Sequence, residues 1–239
     1  MNTDIRELGK MPELRRLGDL FSTIWGVRDP IDASTLRALS HSGNYVAAAY
    51  SNDRMVGGLI GWLGGHPPHD LHLHSHILGV LPGSEAQGVG YALKQHQRTW
   101  CMARKVMSIQ WTFDPLVRRN AYFNLVKLGA DAVEYLVEFY GPMDDGINAG
   151  DESDRLLVRW QLDSPNSIAA AAGQPVEVRP ETGALLVHVP EDIVVMRRDD
   201  PEVARRWRHE VREALGGPMT RGYRVTGFTR AHEYVLSRD

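Results

Sequence analysis

The sequence predicts an α/β (α+β) protein with a C-terminal α/β extension, and three observations carry that prediction. Segments with apolar residues at helical spacing alternate with segments of strand character. Over residues 71–104 an apolar strand runs into a glycine-bearing loop and then straight into a helix. Beyond Leu162 the composition shifts through a small-residue stretch into further strands and a charged helix.

The elements follow in order. Pro12 at a first-turn position, with Leu14, Leu17, Leu20, Phe21 and Ile24 at helical spacing, predicts an opening helix that ends near Trp25-Gly26. Residues 32–42 read as a second, shorter helix. Tyr45 to Ser51 and Met55 to Leu63, joined through Asn52-Asp53-Arg54, read as an antiparallel hairpin. His66-Pro67-Pro68-His69 breaks the chain before a strand from Leu71 to Leu81. The next helix, from Gly88 to about Arg104, carries Val89, Ala92, Leu93, His96, Trp100 and Ala103 on one stripe. A strand from Met107 to Phe113 leads to a helix over 118–130, with Gly129 as its C-cap, and two more strands complete the core. Ser164-Pro165-Asn166-Ser167 and the run Ala169 to Ala172 read as a linker. Val176 to Val178, Leu185 to Val189, Tyr223 to Phe228 and Tyr234 to Leu236 then read as strands, and Pro201 to Leu215 as a charged helix. The expected organisation is a domain over 1–162 and an extension over 163–239 packed on it.

Composition narrows the function classes. The 239 residues suffice for a full core, and 43% hydrophobic and 24% charged residues are ordinary for a globular protein. A net charge of −3 without any run of like charges gives no footprint for nucleic acid. The apolar, glycine-rich run Met55 to Gly65 is too short to cross a bilayer. Asp4, Arg6, Glu7 and Lys10 precede any apolar stretch, so the start does not read as a signal peptide, and a cytoplasmic protein is expected. Cys101 is the one cysteine; within a helical pattern it reads as a small buried hydrophobe.

The loop between residues 80 and 93 is the main candidate for chemistry. A helix N-terminus carries unpaired N–H groups and the positive end of the helix dipole, so a glycine loop leading into it makes an anion cradle. A Walker loop requires Lys and Ser/Thr directly after the second glycine, and Gly88 is followed by Val89-Gly90. A dinucleotide fingerprint requires a third small residue where Leu93 stands, although Asp114 at the end of the next strand keeps that reading open. What remains is strand, Val-x-Pro, short loop, Gly-x-Gly and amphipathic helix.

This arrangement resembles the acyl-CoA-binding motif of the GNAT superfamily of N-acyltransferases, Arg/Gln-x-x-Gly-x-Gly/Ala. Gln87, Gly88, Gly90, Ala92 and Leu93 fit it, whereas Glu85 stands at the Arg/Gln position. A second stretch, Arg118-Arg119-Asn120-Ala121-Tyr122-Phe123-Asn124-Leu125-Val126-Lys127-Leu128-Gly129-Ala130, is similar to the family helix Asn-x-x-Ala-x-x-x-Tyr-x-Lys-Leu-Gly-Phe. Ala121, Lys127, Leu128 and Gly129 match, while Leu125 replaces the Tyr that often protonates the departing thiolate. The resemblance covers about 10–162 and is strongest over 71–130. The continuation Phe139-Tyr140-Gly141-Pro142-Met143 and Asp154 to Trp160 is similar to a subgroup of predicted acyltransferases.

The resemblance implies a GNAT-like mixed, splayed central sheet flanked by helices, and a cofactor that is acetyl-CoA or another acyl-CoA, with no metal. Its pyrophosphate would lie on Glu85, Ala86, Gln87, Gly88, Val89, Gly90 and Tyr91. Pantetheine would lie along Leu78, Gly79 and Val80, with Asn120, Phe123 and Lys127 also beside the cofactor. A primary amine of a small molecule, an amino acid among the candidates, would attack the thioester directly. Arg155 is a candidate clamp for an acceptor carboxylate, and the long acidic segment Gly141 to Asp154 a specificity loop. The acceptor would sit between the opening helices, the His66 to Asp70 loop and that segment. Succinyl-CoA is an alternative donor, and a homodimer is expected. From another class, a non-catalytic acyl-CoA sensor accounts for Glu85 and Leu125.

Five histidines fall between residues 66 and 76, and strand periodicity puts His72, His74 and His76 on one face. Same-face neighbours lie roughly 6.6 Å apart, so His72 and His76 do not converge on one ion without a bend in the strand. A polar strand face and a catalytic imidazole remain. In the resembled family the base projects from this strand; counting back fourteen residues from Gly88 reaches His74, with His76 second. An imidazole titrating at about 6.5 suits proton removal near neutral pH. With Leu125 at the Tyr position, Tyr122 is the candidate proton donor to the thiolate.

Overall fold

The computed structural model describes residues 3–28, 30–65, 70–84, 88–143, 145–146 and 150–238, and the chain divides into two compact units, 1–109 and 110–239. The expected boundary after Leu162 is not where the units part: 163–239 share a unit with 110–162.

The first unit is built on an antiparallel sheet with strand order β1-β2-β3-β4, formed by β1 (Asp4–Glu7), β2 (Tyr45–Ser51), β3 (Arg54–Gly64) and β4 (His72–Val80). β1 was not anticipated, because a four-residue edge strand with one apolar residue leaves no periodic signal. The helix α1 (Met11–Trp25) has Pro at its first turn and ends on Gly26 at φ 66°. Next comes α2 (Ala33–His41), capped by Asp32, whose carboxylate accepts from the N–H groups of Ser34 and Thr35. Leu14, Leu17, Leu20 and Phe21 of α1 and Leu36 of α2 form one core cluster with Val46, Ala48, Tyr50 and Ile60 of the sheet. The opposite face is covered by α3 (Val89–Ala103). Neighbouring glycines of β3 show both contacts: a Cβ on Gly58 would meet Leu17 Cδ1 at 2.2 Å, and one on Gly57 would meet Val89 Cγ1 at 3.1 Å. Glycine at these positions lets a helix seat closely on each face.

β5 (Ser108–Phe113) runs from the end of the first unit into the second, where the strand order is β5-β7-β6, with β6 (Asp131–Leu136) antiparallel to β7 (Arg155–Gln161). Between β5 and β6, α4 (Arg118–Ala121) passes into a π-helix over Tyr122–Lys127. The turn closes with Leu128 N–H donating to Phe123 O and Ala130 N–H to Asn124 O, and Gly129 at φ 68° ends it. The helix expected over 118–130 is therefore α-helical only in its first turn.

The remaining elements correct three readings. The expected linker is helix α5 (Pro165–Ala171), with Ser164 as N-cap and Pro165 at its first turn. Val176 to Val178 is no strand; Val176 N–H donates to Val126 O. After β8 (Leu185–His188) comes an unanticipated helix, α6 (Ile193–Asp199), capped by Asp192. The charged helix is α7 (Pro201–Val211), continued by a π-turn over Arg212–Gly216 and by α8 (Gly217–Thr220). β9 (Tyr223–Phe228) and β10 (Glu233–Arg238) complete an antiparallel sheet of order β8-β10-β9.

A buried ionic cluster ties this unit together. Asp114, after β5, accepts from Arg208 Nη1 and Nη2 at 2.8 and 3.0 Å and from Arg197. Asp151 accepts from Arg197 Nε at 2.8 Å and Arg208 Nη2 at 2.7 Å. Arg212 donates to Glu152 and to both oxygens of Asp154, which also accepts from Tyr135 OH at 2.7 Å. Among the described residues no helix is long and apolar enough to cross a membrane.

Candidate active site

The site is built on β4 and the start of α3. β4 alternates as the sequence implies until it reaches β3's midpoint. There Ile60 faces Ile77 while Gly61 faces Ser75, so His76 is an extra residue, a β-bulge. The bulge brings His74 and His76 onto one aromatic neighbour. Trp62, opposite His74, has its ring centroid 5.0 Å from the His74 imidazole and 4.7 Å from that of His76, and the two imidazoles are 5.6 Å apart.

Atoms packed around the rings shift the protonation of this pair, although His74 is half-buried and His76 exposed. Desolvation, then the neighbouring His76, His72 and Lys94, push the His74 pKa down to about 4; burial lowers His76 as well. His74 is thus a neutral imidazole throughout the physiological range. The expected ionisation near that of free imidazole is corrected to one well below it, the physical cause being loss of water around the ring.

Ser75 points to the other face, into α3. Its hydroxyl accepts from Lys94 Nζ at 2.8 Å, and Gln97 Oε1 lies 3.5 Å from the same amine. Lys94 is 2% exposed, and burial brings its pKa down to about 7. Lys94, Ser75, Gln97 and Trp62 were all missed from sequence. The available signal was that Gly90, Lys94, Gln97 and Cys101 share one helical face, which places a lysine in line with the buried Cys101.

Beyond Val80, the turn Leu81 to Ser84 closes with Ser84 N–H donating to Leu81 O. Gly88 caps α3 at φ 74°, in the left-handed region, and the first intrahelical bond runs from Ala92 N–H to Gly88 O. The amides of Val89, Gly90 and Tyr91 therefore occupy the first turn, where a helix offers N–H groups and its positive dipole end to an anion. A Cβ on Gly90 would lie 3.8 Å from Val80 and 3.9 Å from Leu78, so strand and helix start are in near contact. Glu85, Ala86 and Gln87 lie outside the described residues, as do His66 to His69.

Thus His74, His76, Leu78 to Val80 and Gly88 to Tyr91 come together within the first unit. Tyr122, Asn120, Phe123, Lys127 and Arg155 belong to the second. Asn120, Tyr122 and Phe123 are half-buried and Lys127 is exposed; Tyr122 lies within electrostatic reach of Arg230. Leu125 is buried, and its neighbour Asn124 accepts from Trp111 Nε1 at 3.2 Å. Arg155, the candidate clamp for an acceptor carboxylate, is engaged within the chain. Its guanidinium is buried, with Nη1 donating to Asp154 O at 2.8 Å, Nη2 at 3.0 Å from Met143 Sδ, and the Tyr140 ring centroid 5.3 Å away. Those donors engage Asp154 and Met143 of the chain itself. Among the described residues no group of three or more His, Cys, Asp or Glu is placed to hold a metal ion.

No family model and no curated protein matches the chain. Solved structures do match. Arabidopsis thaliana Naa50, in complex with the bisubstrate analogue CoA-Ac-MVNAL, superposes with a TM-score of 0.55 at 18% identity, over 66% of this chain and 98% of that one. An N-acetyltransferase from Staphylococcus aureus Mu50 gives 0.54 at 13% identity, over 68% of this chain and all of that one. Chaetomium thermophilum Naa20, in complex with a bisubstrate analogue, gives 0.52 at 15% identity, over 66% and 86%. These likenesses span most or all of the neighbouring chains: the chain has the GNAT superfamily fold.

Proposed function

We infer that the protein is an acyl-CoA-dependent N-acyltransferase that moves an acetyl group to a primary amine of a small molecule. One observation carries this reading furthest: a strand bearing a neutral, desolvated imidazole leads, within one unit, to a left-handed glycine and the amide-bearing start of a helix. The amides of Val89 to Tyr91 receive the pyrophosphate of CoA. The amine nitrogen attacks the thioester carbonyl carbon; a C–N bond forms, the C–S bond breaks, and its electron pair leaves on sulfur as the CoA thiolate. His74 takes the nitrogen's proton as the C–N bond forms, when that nitrogen becomes acidic. Holding both reactants together supplies much of the acceleration.

The test is to incubate the protein with acetyl-CoA or succinyl-CoA and a panel of small-molecule amines while following free thiol. Amine-dependent thiol release supports the reading, and the donor that reacts faster assigns the acyl chain. CoA binding without release above background supports the sensor, a reading favoured by the burial of Leu125 at the position of the family's Tyr.

A further inference from the structure

Lys94 has no role in acyl transfer as set out above, yet it is a fully buried amine directly behind the histidine strand. Its one-turn neighbour Gln97 is also fully buried. Lys94 meets β4 at Ser75 and Gln97 meets β3 at Gly61, beside the bulge. A Cβ on Gly61, the residue opposite Ser75, would fall 2.7 Å from His74 O and 3.3 Å from Gln97 Nε2. The helix, the glycine and the bulged strand are therefore packed without slack, and the Lys94–Ser75 bond is a polar link across that packing.

We propose that Lys94 is a positioning residue for His74 and His76: by bonding Ser75, the residue between them, its amine holds the β4 bulge in the register that seats both imidazoles on Trp62. Without that link the bulge can migrate by a residue, and a one-residue slip turns an imidazole to the opposite face. The amine also faces the same strand electrostatically, since its charge disfavours the imidazolium form of His74. Other groups bear on this region. Cys101 on α3 acts on Lys94, while His72 and His76 act on His74. Tyr45 on β2 bonds His96 on α3, and Glu7 on β1 accepts from Trp100. The inference rests, for its catalytic consequence, on His74 being the base.

The experiment combines turnover with NMR titration of the imidazoles in the full chain, for wild type, Lys94→Met, Ser75→Ala, His74→Ala and the double variant Lys94→Met/His74→Ala. Lys94→Met is expected to lower kcat about tenfold, or 1.4 kcal/mol, with KM for acyl-CoA unchanged. It should shift the His74 midpoint upward and move the ring resonances of both histidines. Ser75→Ala should reproduce the ring and kcat changes, and it serves alone if Lys94→Met does not fold. In the His74→Ala background Lys94→Met should have no further effect on kcat. Wild-type ring resonances and midpoints in both Lys94→Met and Ser75→Ala would overturn the inference whatever their turnover. A fully active His74→Ala protein would remove the base while leaving the imidazole shifts to establish the positioning role by themselves.

Discussion

In the first unit the buried cation Lys94 rests against a hydroxyl and an amide, and its pKa falls to about 7. In the second, Arg208 is just as buried but is clasped by Asp114 and Asp151, which outweigh desolvation and hold it charged. The contrast follows from the chemistry of the two side chains. A guanidinium cannot shed its proton, so burying it requires carboxylates in good geometry, and the outcome is a rigid cross-link between distant segments. An ammonium can lose its charge, so it tolerates burial beside the imidazoles of β4.

The largest expected effect tests the first unit. His74→Ala should lower turnover by about 10² to 10⁴-fold with little change in CoA affinity. Because the imidazole is already neutral well above pH 4, wild-type turnover should show no imidazole ionisation between about pH 5.5 and 8. A limb at about 6.5 that vanishes in His74→Ala would show the ring to be better hydrated than its neighbours imply.

Next in size is the ionic cluster. Arg208→Met leaves Asp114 and Asp151 short of a partner and should cost about 3–5 kcal/mol in urea unfolding. Burial alone would raise Asp114, but Arg208 and Arg197 hold its carboxyl well below the usual range. Its folded pKa lies below the unfolded one, so its contribution is present above about pH 4 and lost as pH falls toward the folded value. A variant that unfolds like wild type would mean that the arginines are replaceable packing.

Lys94 is shifted in the same direction, but for a cation the lowered value marks a cost of burial. Its folded pKa lies below the unfolded one of about 10.4, so the unfolded chain binds more protons between about pH 7 and 10, and stability should rise across that window. Lys94→Met should flatten the rise and stabilise the protein at pH 7 by on the order of 1–4 kcal/mol, while slowing turnover. Loss of stability in that variant would instead make the amine a net structural asset.

The smallest expected effect concerns Gly88. Its positive φ makes Gly88→Val cost about 1–2 kcal/mol of stability. The same substitution should weaken CoA binding severalfold or more by displacing the first-turn amides. Unchanged CoA affinity in the folded variant would move the pyrophosphate elsewhere.

The elements that position the site were legible because their signals are local. Apolar runs joined through Asn52-Asp53-Arg54 marked β2 and β3, alternation marked β4, the stripe Val89, Leu93 and Trp100 marked α3, and Pro12 and Gly26 bracketed α1. The same logic found the strand face of His74 and His76 and the helix-start glycine. Local signals failed where context decides: Ser164 to Ala172 reads as a linker by composition yet is a capped helix, and the 118–130 helix changes its hydrogen-bond register from Tyr122 onward.

By itself, then, the sequence determined that His74 and His76 share a strand face and which glycine opens α3, because periodicity and the conformational freedom of glycine are properties of neighbouring residues. Tertiary structure alone decided the bulge at His76, the Lys94–Ser75 bond, the burial of Arg155 and the clasp of Asp114 by Arg197 and Arg208. Register is set by the partner strand, and the cost of a charge by whatever excludes water around it. Both depend on residues tens of positions away, brought close only when the sheet and its helices pack.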